Sequence, residues 1–404
     1  MPALNGKIVL LEGIHEAAEG LLEQTGLEVT RIPGSLDPNR LREIAADAAV
    51  LCIRSRTRID RALIESAPAL TTIGCFCIGT NQVDLEAAAE RGVAVFNAPF
   101  SNTRSVAELT LAELVMLLRR IPQRNADMHS GRWRKSASGS HEVRGRTLGI
   151  IGYGHIGTQL SVLAEALGMR VIYHDIIAKL PIGNAHSSAS LEELLSESDV
   201  VSLHVPATAG TRGMIGSQEL AGMKRGSFLI NNARGDIVDI DALAKALDDE
   251  HLAGAAVDVF PEEPKSGDSE FSTPLAGRDN VILTPHIGGN TLEAQAAIGG
   301  EVGEKIRRFI REGATGTAVN LPNVDLPSRR DGQHRILHFH RNVPGVLGRM
   351  HTVLAGLNVN ITAEFLQSSG DLSYVILDVD PIEIDRVQEE ISKIPETIRI
   401  RTLI

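Results

Sequence analysis

The sequence predicts an α/β protein with doubly wound parallel sheets, because short apolar runs alternate with amphipathic stretches over most of its length. Apolar runs bounded by turn residues are typical of strands buried on both faces, and the stretches between them have helical spacing. The alternation starts twice, and the last part of the chain has a different order of strands and helices. With 404 residues, the chain is long enough for two or three domains.

Composition and charge exclude several classes of protein. Acidic residues exceed basic ones, 51 against 40, so the formal net charge is −11. This balance argues against a nucleic-acid-binding surface, which normally has a basic footprint. The three cysteines are too few for a disulfide framework and the first residues lack a signal-peptide pattern, so we expect a cytoplasmic protein. No apolar run of ~20 residues is free of charges and glycines, so no membrane span is expected.

The first alternating series predicts a five-stranded domain of the flavodoxin-like type. Its strands are KIVLLEG from Lys7, LEVTRI from Leu27, AAVLCIRS from Ala48, TTIGCFCI from Thr71 and VAVFNAP from Val93. A long helix is expected next. Ser105 and Glu108 have capping-box spacing at its predicted start, and Pro122 is expected to end it.

A second alternating series begins at TLGIIGYGHIG and continues through MRVIYHD, DVVSLHVP, GSFLINNA, GAAVDVF and NVILTPH. A further helix, from about Thr291 to Arg311, then has no strand of its own. The economical arrangement inserts the second series into the first. This predicts a discontinuous domain of residues 1–101 and 289–328 around an inserted domain of residues 102–288.

The last part of the chain predicts a separate small domain. The residues from 313 to 332 are rich in glycine, proline and small polar side chains, which is typical of a linker. Residues 333–404 then read as strand, helix, strand, strand, helix and strand. This is the βαββαβ order of a ferredoxin-like domain.

A glycine-rich turn, Gly152-Tyr-Gly154-His-Ile-Gly157, lies between a predicted strand and a predicted helix and indicates a Rossmann-type dinucleotide site. Gly152 permits the tight turn, Gly154 lets the backbone approach a pyrophosphate, and Gly157 allows close packing of the helix on the strand. The next strand ends in Asp175, whose carboxylate would accept hydrogen bonds from the adenosine ribose and repel a 2′-phosphate. No arginine follows it, so the expected cofactor is NAD rather than NADP.

Three polar segments follow strands of the same domain and supply candidate catalytic groups. They carry Arg234 in NNARGDIVD, Glu262 and Glu263 in DVFPEEP, and His286 in TPHIGG. Ligands of open α/β sheets bind outside the carboxyl ends of the strands, so we expect these side chains to share one crevice. Histidine is a suitable base for a hydroxyl proton, Glu263 is preferred over Glu262 to orient it, and Arg234 can grip a carboxylate.

Two arginines, Arg54 and Arg56, follow the predicted strand AAVLCI. Alternate residues of an extended segment point the same way, so both guanidiniums could reach one anion, and their geometry suits phosphate. Lys135, after the single tryptophan Trp133, is a weaker candidate for the same anion. The alternative is that these residues are solvated loop charges.

The C-terminal domain carries two histidines, His338 and His340, on one face of a predicted strand. Their i, i+2 spacing can bind a metal ion, but no further cysteine or acidic residue has convincing ligand spacing. No metal site is therefore predicted.

The succession GYGHIG, ARGDIVD, DVFPEEP and TPHIGG resembles the D-isomer-specific 2-hydroxyacid dehydrogenases, and the C-terminal NVPGVL resembles an ACT domain. With RSRT and NAPFSNTRSVAEL, the resemblance covers nearly the whole chain and implies NAD-dependent oxidation of D-3-phosphoglycerate to 3-phosphohydroxypyruvate. That reaction is the first step of phosphorylated L-serine biosynthesis. Two alternatives stay open: another 2-hydroxy or 2-oxo acid, such as 2-oxoglutarate, or a nucleotide-sensing protein without turnover.

The resemblance also implies roles for the domains and for individual residues. It makes the discontinuous domain substrate-binding and the inserted domain NAD-binding. Catalysis would be carried by Arg234, Glu263 and His286, and the substrate would be bound by Arg54, Arg56, Asn102 and Lys135. The cofactor would contact Gly152, Gly154, His155, Ile156, Gly157, Asp175, His204, Val205, Pro206, Ala233, Asp258, His286, Gly288 and Gly289.

For the ACT domain, the resemblance implies a regulatory site for L-serine at His340, Asn342 and Asn360. Edge strands that pair across a two-fold axis would bury those edges and create the sites, so we expect a homo-oligomer, specifically a tetramer. Serine would then inhibit by favouring one domain orientation. The alternative is that the domain only holds the oligomer together.

Overall fold

A computed structural model describes residues 6–264, 270–327, 329–330 and 332–404. Two compact units make up the chain, Met1–Ser101 with Gln295–Ile404, and Asn102–Ala294. The finer domain boundaries given above remain predictions. Among the described helices, none combines the length and the hydropathy needed to cross a membrane.

The elements follow one another largely as the alternation predicts. The strands are β1 Lys7–Leu10, β2 Glu28–Arg31, β3 Ala48–Ile53, β4 Thr72–Cys75, β5 Ala94–Asn97, β6 Thr147–Ile151, β7 Arg170–His174, β8 His186–Ser187, β9 Val200–Leu203, β10 Ser227–Asn231, β11 Leu252–Val257, β12 Val281–Leu283, β13 His334–Arg341, β14 Ile361–Ser369, β15 Leu372–Val379 and β16 Thr397–Leu403. The α-helices are α1 Glu19–Glu23, α2 Pro38–Ala45, α3 Arg61–Ser66, α4 Leu85–Glu90, α5 Thr103–Arg119, α6 Ile121–His129, α7 His155–Ala166, α8 Leu191–Glu197, α9 Ser217–Gly222, α10 Ile240–Asp248, α11 Leu292–Glu312, α12 Val346–Gly356 and α13 Ile384–Ser392.

The first unit contains a five-stranded parallel sheet in the order β2-β1-β3-β4-β5, which is the flavodoxin-like order. Every residue of β3 is buried. Successive side chains point to opposite faces of a strand, so Val50 and Cys52 belong to one apolar cluster while Leu51 and Ile53 belong to another. Both faces are therefore covered, which explains why β3 is continuously apolar rather than alternating.

The second unit contains a seven-stranded parallel sheet in the order β12-β11-β10-β9-β6-β7-β8. The direction of winding reverses between β6 and β9, and a crevice for ligands is expected outside the carboxyl ends of the strands at that point. The two-residue strand β8 at one edge has no counterpart among the predicted strands, because so short a run leaves no periodicity in the sequence.

The C-terminal part of the first unit forms a four-stranded antiparallel sheet in the order β14-β15-β13-β16, with α12 and α13 in the predicted βαββαβ sequence. Together with the two parallel sheets, this confirms the predicted fold class. The small sheet shares an apolar core with the rest of its unit, since Phe339 and Tyr374 belong to the same cluster as Phe309 of α11. Arg335 is buried there, donates to both carboxylate oxygens of Asp378, and reaches the carbonyl oxygen of Glu312.

Two expectations about the long helix are wrong. Helix α5 begins two residues before Ser105, whose hydroxyl lies 2.8 Å from that of Thr291 instead of capping the helix. Pro122 does not end α5, because Arg120 already turns the chain in the left-handed conformation and Pro122 falls in the first turn of α6. Proline suits both a helix end and a first turn, so its position alone does not distinguish them.

The expectation that residues 313–332 form a linker is also wrong in part. Thr315 is fully buried, and Leu321 and Val324 belong to the core of the first unit. Asn320 joins the edge of the parallel sheet, where its side chain accepts from the Val95 amide and donates to the Val93 carbonyl. The start of this segment is therefore packed domain structure, and the Thr315 hydroxyl satisfies its irregular backbone by donating to the Pro322 carbonyl and accepting from the Val324 amide.

Candidate active site

The glycine turn before α7 has the geometry of a dinucleotide site. Gly152 has a φ of +93°, and a Cβ placed on it would lie 2.6 Å from the carbonyl oxygen of His204. A Cβ on Gly157 would lie 2.4 Å from the carbonyl oxygen of Gly152. At Gly154, no atom of the described residues lies within 4 Å of that position. Close packing explains the glycines at 152 and 157. The open space at Gly154, at the helix N-terminus, fits an approaching pyrophosphate.

Asp175 follows β7 and is held facing this turn. Its Oδ2 accepts a hydrogen bond of 2.9 Å from the amide of Tyr153, and its Oδ1 accepts one of 3.0 Å from the amide of Ile177. Each carboxylate oxygen can accept more than one hydrogen bond, so both remain available to ribose hydroxyls. The structure therefore places this carboxylate as the sequence predicts for NAD.

The other cofactor candidates of the glycine side follow strands of the same sheet. His204 follows β9, and its Nε2 lies 2.9 Å from the hydroxyl of Ser202. Burial lowers the pKa of His204 to about 4, so its imidazole is neutral at physiological pH. Val205 packs over the glycine turn, and Ala233 is buried after β10. His155 and Ile156 form the first turn of α7, and Pro206 is exposed after β9.

The predicted base and its acidic partner are in contact. Nδ1 of His286 lies 2.8 Å from Oε2 of Glu263, and the two side chains are 50% and 37% exposed. The hydrogen bond that the Glu263 carboxylate accepts raises the pKa of His286 above its ordinary value, although burial and the charge of Arg234 act against it. Burial would raise the pKa of Glu263, but the hydrogen bond and charge of His286 bring it below the ordinary value. Nε2 of His286 is left for a substrate proton.

The turn that carries His286 is fixed by Asp258, which is almost fully buried. Its carboxylate accepts hydrogen bonds from the hydroxyl of Thr284 at 2.6 Å and from the amides of Ile287 and Gly288 at 2.8 Å. His286 itself has a φ of +54°, and its amide donates to the Asp258 carbonyl at 2.8 Å. From the sequence, Asp258 is expected at the cofactor only. Its position directly after a buried strand is the signal that could have indicated this second role.

Arg234 lies beside the same pair. A Cβ on the following residue, Gly235, would lie 2.0 Å from the carbonyl carbon of Phe260, so the arginine loop packs directly on the segment that carries Glu263. The charge of Arg234 lowers the pKa values of both Glu263 and His286. The structure thus brings Arg234, Glu263 and His286 together at the carboxyl ends of neighbouring strands.

Helix α5 anchors this arginine loop through a buried carboxyl that sequence analysis missed. Nδ2 of Asn232 donates to Oε2 of Glu113 at 2.6 Å and to the hydroxyl of Thr110 at 3.0 Å. Burial raises the pKa of Glu113 to about 7, against the lowering effect of the Asn232 hydrogen bond. A glutamate within an otherwise apolar helix face is the signal that could have revealed it.

Asn102 contacts the last glycine of the cofactor set. A Cβ on Gly289 would lie 2.0 Å from Nδ2 of Asn102, so a larger residue there would displace the Asn102 amide. Oδ1 of Asn102 is buried and has no hydrogen-bond partner in the part of the chain that the structure describes. An orphaned acceptor beside the predicted nicotinamide end of the site fits a ligand that donates a hydrogen bond.

The other predicted substrate residues are distributed over both units. Arg54 is half-buried and Arg56 is exposed after β3 in the first unit, and neither forms an ion pair with the described residues. Lys135 lies with Trp133 in an exposed segment after α6 in the second unit. The catalytic trio and Asn102 also belong to the second unit.

The three predicted effector residues do not meet within one chain. His340 is opposite Ser373 at the start of β15, and Nδ2 of the nearby Asn342 donates to the Gly370 carbonyl at 3.0 Å. Asn360 instead lies at the far end of β15, where its Nδ2 donates to Asp380 at 2.9 Å. The strand rise separates these positions by more than about 20 Å.

Comparison with known proteins agrees with this geometry. Residues 111–288 match the family model for the NAD-binding domain of D-isomer-specific 2-hydroxyacid dehydrogenases. Residues 336–399 match a model for ACT domains like that of the AHAS small subunit. A crystal structure of D-lactate dehydrogenase from Aquifex aeolicus, complexed with NAD and lactic acid, superposes with a TM-score of 0.67 at 28% identity and covers 78% of this chain and 100% of that one.

Two relatives that match this chain over nearly its whole length carry the same name. A protein from Haemophilus influenzae named D-3-phosphoglycerate dehydrogenase is 52% identical over 398 residues, which cover 98% of this chain and 97% of the relative. Its namesake from Escherichia coli strain K12 is 51% identical over 400 residues, with coverage of 98% and 97%. The chain belongs to the D-isomer-specific 2-hydroxyacid dehydrogenases, an oxidoreductase family that uses NAD, and it carries a C-terminal ACT domain.

Proposed function

We propose that this chain oxidises D-3-phosphoglycerate to 3-phosphohydroxypyruvate with NAD, as the first step of phosphorylated L-serine biosynthesis. The contact between His286 and Glu263 beside Arg234 carries the proposal, because it supplies a base, a partner for that base and a cation for the carboxylate. The relatives of about half identical sequence bear the name of this activity.

The residues of the chain divide the chemistry among them. Arg234 would hold the substrate carboxylate and the developing carbonyl oxygen, and Nε2 of His286 would take the hydroxyl proton. Glu263 stabilises the imidazolium that results, since its carboxylate is hydrogen-bonded to Nδ1. NAD, when bound, accepts the hydride from C2. Asp258 keeps His286 in place while the proton moves.

For the phosphate, we propose Arg54 and Arg56 as the main contacts. Neither guanidinium has a carboxylate partner among the described residues, and paired guanidiniums suit a phosphate group. We expect Arg54→Ala and Arg56→Ala each to raise KM for D-3-phosphoglycerate by about 10-fold or more, and KM for D-glycerate by much less.

The test is a steady-state assay of NADH formation with D-3-phosphoglycerate and D-glycerate, and of NADH consumption with 2-oxoglutarate. Preference of the wild type for the phosphorylated acid supports the proposal. Faster turnover of 2-oxoglutarate would favour the alternative substrate, and equal losses for both hydroxy acids in the arginine variants would reject the phosphate contacts.

We propose further that L-serine inhibits the enzyme at a site shared between two copies of the ACT domain. His340 with Asn342 and the distant Asn360 cannot contact one small amino acid within a single chain, but a two-fold pairing of edge strands β14 would bring them together. Six of the nine β14 residues are exposed, as an edge that pairs in an oligomer would be. Unchanged rates at millimolar L-serine would remove this proposal.

The oligomer is proposed to be a tetramer, with the enzyme in the cytoplasm. A second interface besides the ACT edge is needed for four copies, and sedimentation of the full chain would count them. Cys52 and Cys75 are buried free thiols, which suits a reducing compartment. Cell fractionation tests that location.

A further inference from the structure

The loop that carries Arg54 and Arg56 is held by a glutamate from a distant part of the chain. Glu12 follows β1, and its two carboxylate oxygens accept hydrogen bonds from consecutive backbone amides, Oε2 from Arg56 at 3.0 Å and Oε1 from Thr57 at 2.8 Å. Each oxygen therefore has its own donor. Hydrogen bonds to a charged acceptor are stronger than neutral ones, so this contact fixes the backbone of the loop at two neighbouring positions.

The other side of the loop is fixed as well. Nε2 of Gln82 donates to the carbonyl oxygen of Arg54 at 2.8 Å, and the thiol of Cys77 lies 3.6 Å from the same oxygen. The backbone on both sides of Ser55 is thus tied to neighbouring segments, although both arginine side chains extend from an irregular segment. Restriction of the backbone limits the directions in which the two guanidiniums can point.

Glu12 adopts a backbone conformation that a glutamate rarely takes. Its φ is +60°, in the left-handed region that favours glycine. Such strain persists where the surroundings impose it, and it concentrates at functional sites. A glycine would relieve the strain at this position but would have no carboxylate. The hydrogen bonds of Glu12, and not its backbone conformation, therefore account for a glutamate here.

The contact also decides how an anion can be bound. The amides of Arg56 and Thr57 are used by Glu12, so they are not open to a phosphate, and the nearby carboxylate repels an anion that approaches the backbone. An anion must be met by the guanidiniums instead. We propose that Glu12 is a positioning residue that sets the preference for a phosphorylated substrate by fixing Arg54 and Arg56.

This inference rests on the proposed function, because it requires that the two arginines bind the substrate phosphate. The variants that test it are Glu12→Gly, which removes the carboxylate and relieves the strain, and Glu12→Gln, which keeps the side-chain length and one accepting oxygen. The matched control is Glu250→Gly. Glu250 is an exposed glutamate with a φ of +50°, and its side chain forms no hydrogen bond or ion pair with the described residues.

For Glu12→Gly, we expect KM for D-3-phosphoglycerate to rise about 10-fold or more, while kcat at saturation stays within about two-fold of wild type. KM for D-glycerate should hardly change, so the preference for the phosphorylated acid falls. Glu12→Gln should lie between wild type and Glu12→Gly, and Glu250→Gly should match wild type with both substrates.

Several outcomes would overturn the inference. Equal changes of KM for both acids, or a KM for D-3-phosphoglycerate that neither Glu12 variant alters, would show that Glu12 does not set the preference. If Glu12→Gly fails to fold, Glu12→Gln provides the test, by its KM for D-3-phosphoglycerate relative to its KM for D-glycerate. A wild type that does not oxidise D-3-phosphoglycerate rejects the proposed function itself, whereas an active wild type with unaffected variants rejects only the role of Glu12.

Discussion

Two histidine sites in this chain have opposite surroundings. His286 is half-exposed and contacts the carboxylate of Glu263, and the hydrogen bond that this carboxylate accepts raises the pKa of His286. His338 and His340 are 0% and 3% exposed, with stacked rings whose centroids lie 5.0 Å apart. Burial lowers the pKa of His338 to about 3, and it also lowers the pKa of His340.

The difference shows that the surroundings of a histidine, and not the residue type alone, set its pKa. A carboxylate partner and access to water let His286 exchange a proton near neutral pH, as catalysis requires. The buried pair stays neutral, and Nδ1 of each ring lacks a hydrogen-bond partner within the described chain. Such rings can serve in packing and in recognition of a polar ligand, but not as a proton switch.

The largest effect is expected from removal of the catalytic base. His286→Asn should lower kcat by about 10²- to 10⁴-fold, because no other group at that position takes the hydroxyl proton. NADH formation under saturating substrate measures the loss. His129→Asn, a change of an exposed histidine at the end of α6, is the control and should leave kcat unchanged. Turnover of His286→Asn within two-fold of wild type would contradict the comparison.

The second-largest effect is expected at Glu113, whose buried carboxyl contrasts with the half-exposed His286. The ordinary pKa of a glutamate, 4.5, is raised by burial to about 7 at Glu113, so the folded state binds this proton more tightly than the unfolded state. Its contribution to stability is present in full below about pH 4.5 and is lost as the pH rises through about 7. The loss amounts to at most about 3 kcal/mol.

Thermal unfolding at several pH values measures this loss. Between pH 4.5 and pH 7.5, Glu113→Gln should lose less stability than wild type, because its amide cannot ionise. Glu108→Gln changes an exposed residue of the same helix and should follow the wild-type curve. Parallel curves for wild type and Glu113→Gln would show that Glu113 does not titrate in this range.

A smaller effect is expected from Glu263. In the oxidation direction His286 must be neutral, so kcat/KM falls as the pH drops through its raised pKa. Glu263→Gln removes the charge that raises this pKa, and the acid limb of the profile should move to lower pH, with kcat reduced by about 10-fold. Glu262→Gln, at the adjacent residue, should leave the limb in place. An equal shift in both variants would mean that the contact with Glu263 does not tune His286.

The smallest effect is expected at His340, one of the two buried histidines. Because burial lowers the pKa of His340 below its ordinary value of 6.5, its ring is mostly neutral above pH 6.5. The concentration of L-serine that gives half-maximal inhibition should therefore change by less than about two-fold between pH 6.5 and pH 8.5. A steep change over that range would indicate that His340 titrates and would remove the contrast with His286.

The sequence alone determined the class of the fold and the order of most elements, and it singled out the proposed catalytic groups. Apolar periodicity and turn chemistry act over a few residues, so the runs around Gly152, Arg234 and His286 could be interpreted locally. The family resemblance added the substrate and the proposed effector. Helix boundaries were less certain, because capping at Ser105 depends on whether Thr291 lies nearby.

The tertiary structure decided which distant groups touch. Glu12 reaches amides 44 and 45 residues further along, and Asn232 reaches Glu113 across 119 residues. The strand register separates Asn360 from His340, and the burial of Thr315 turns an expected linker into core. Such contacts depend on strand pairing and helix packing over the whole unit, and no local pattern of residue types contains that information.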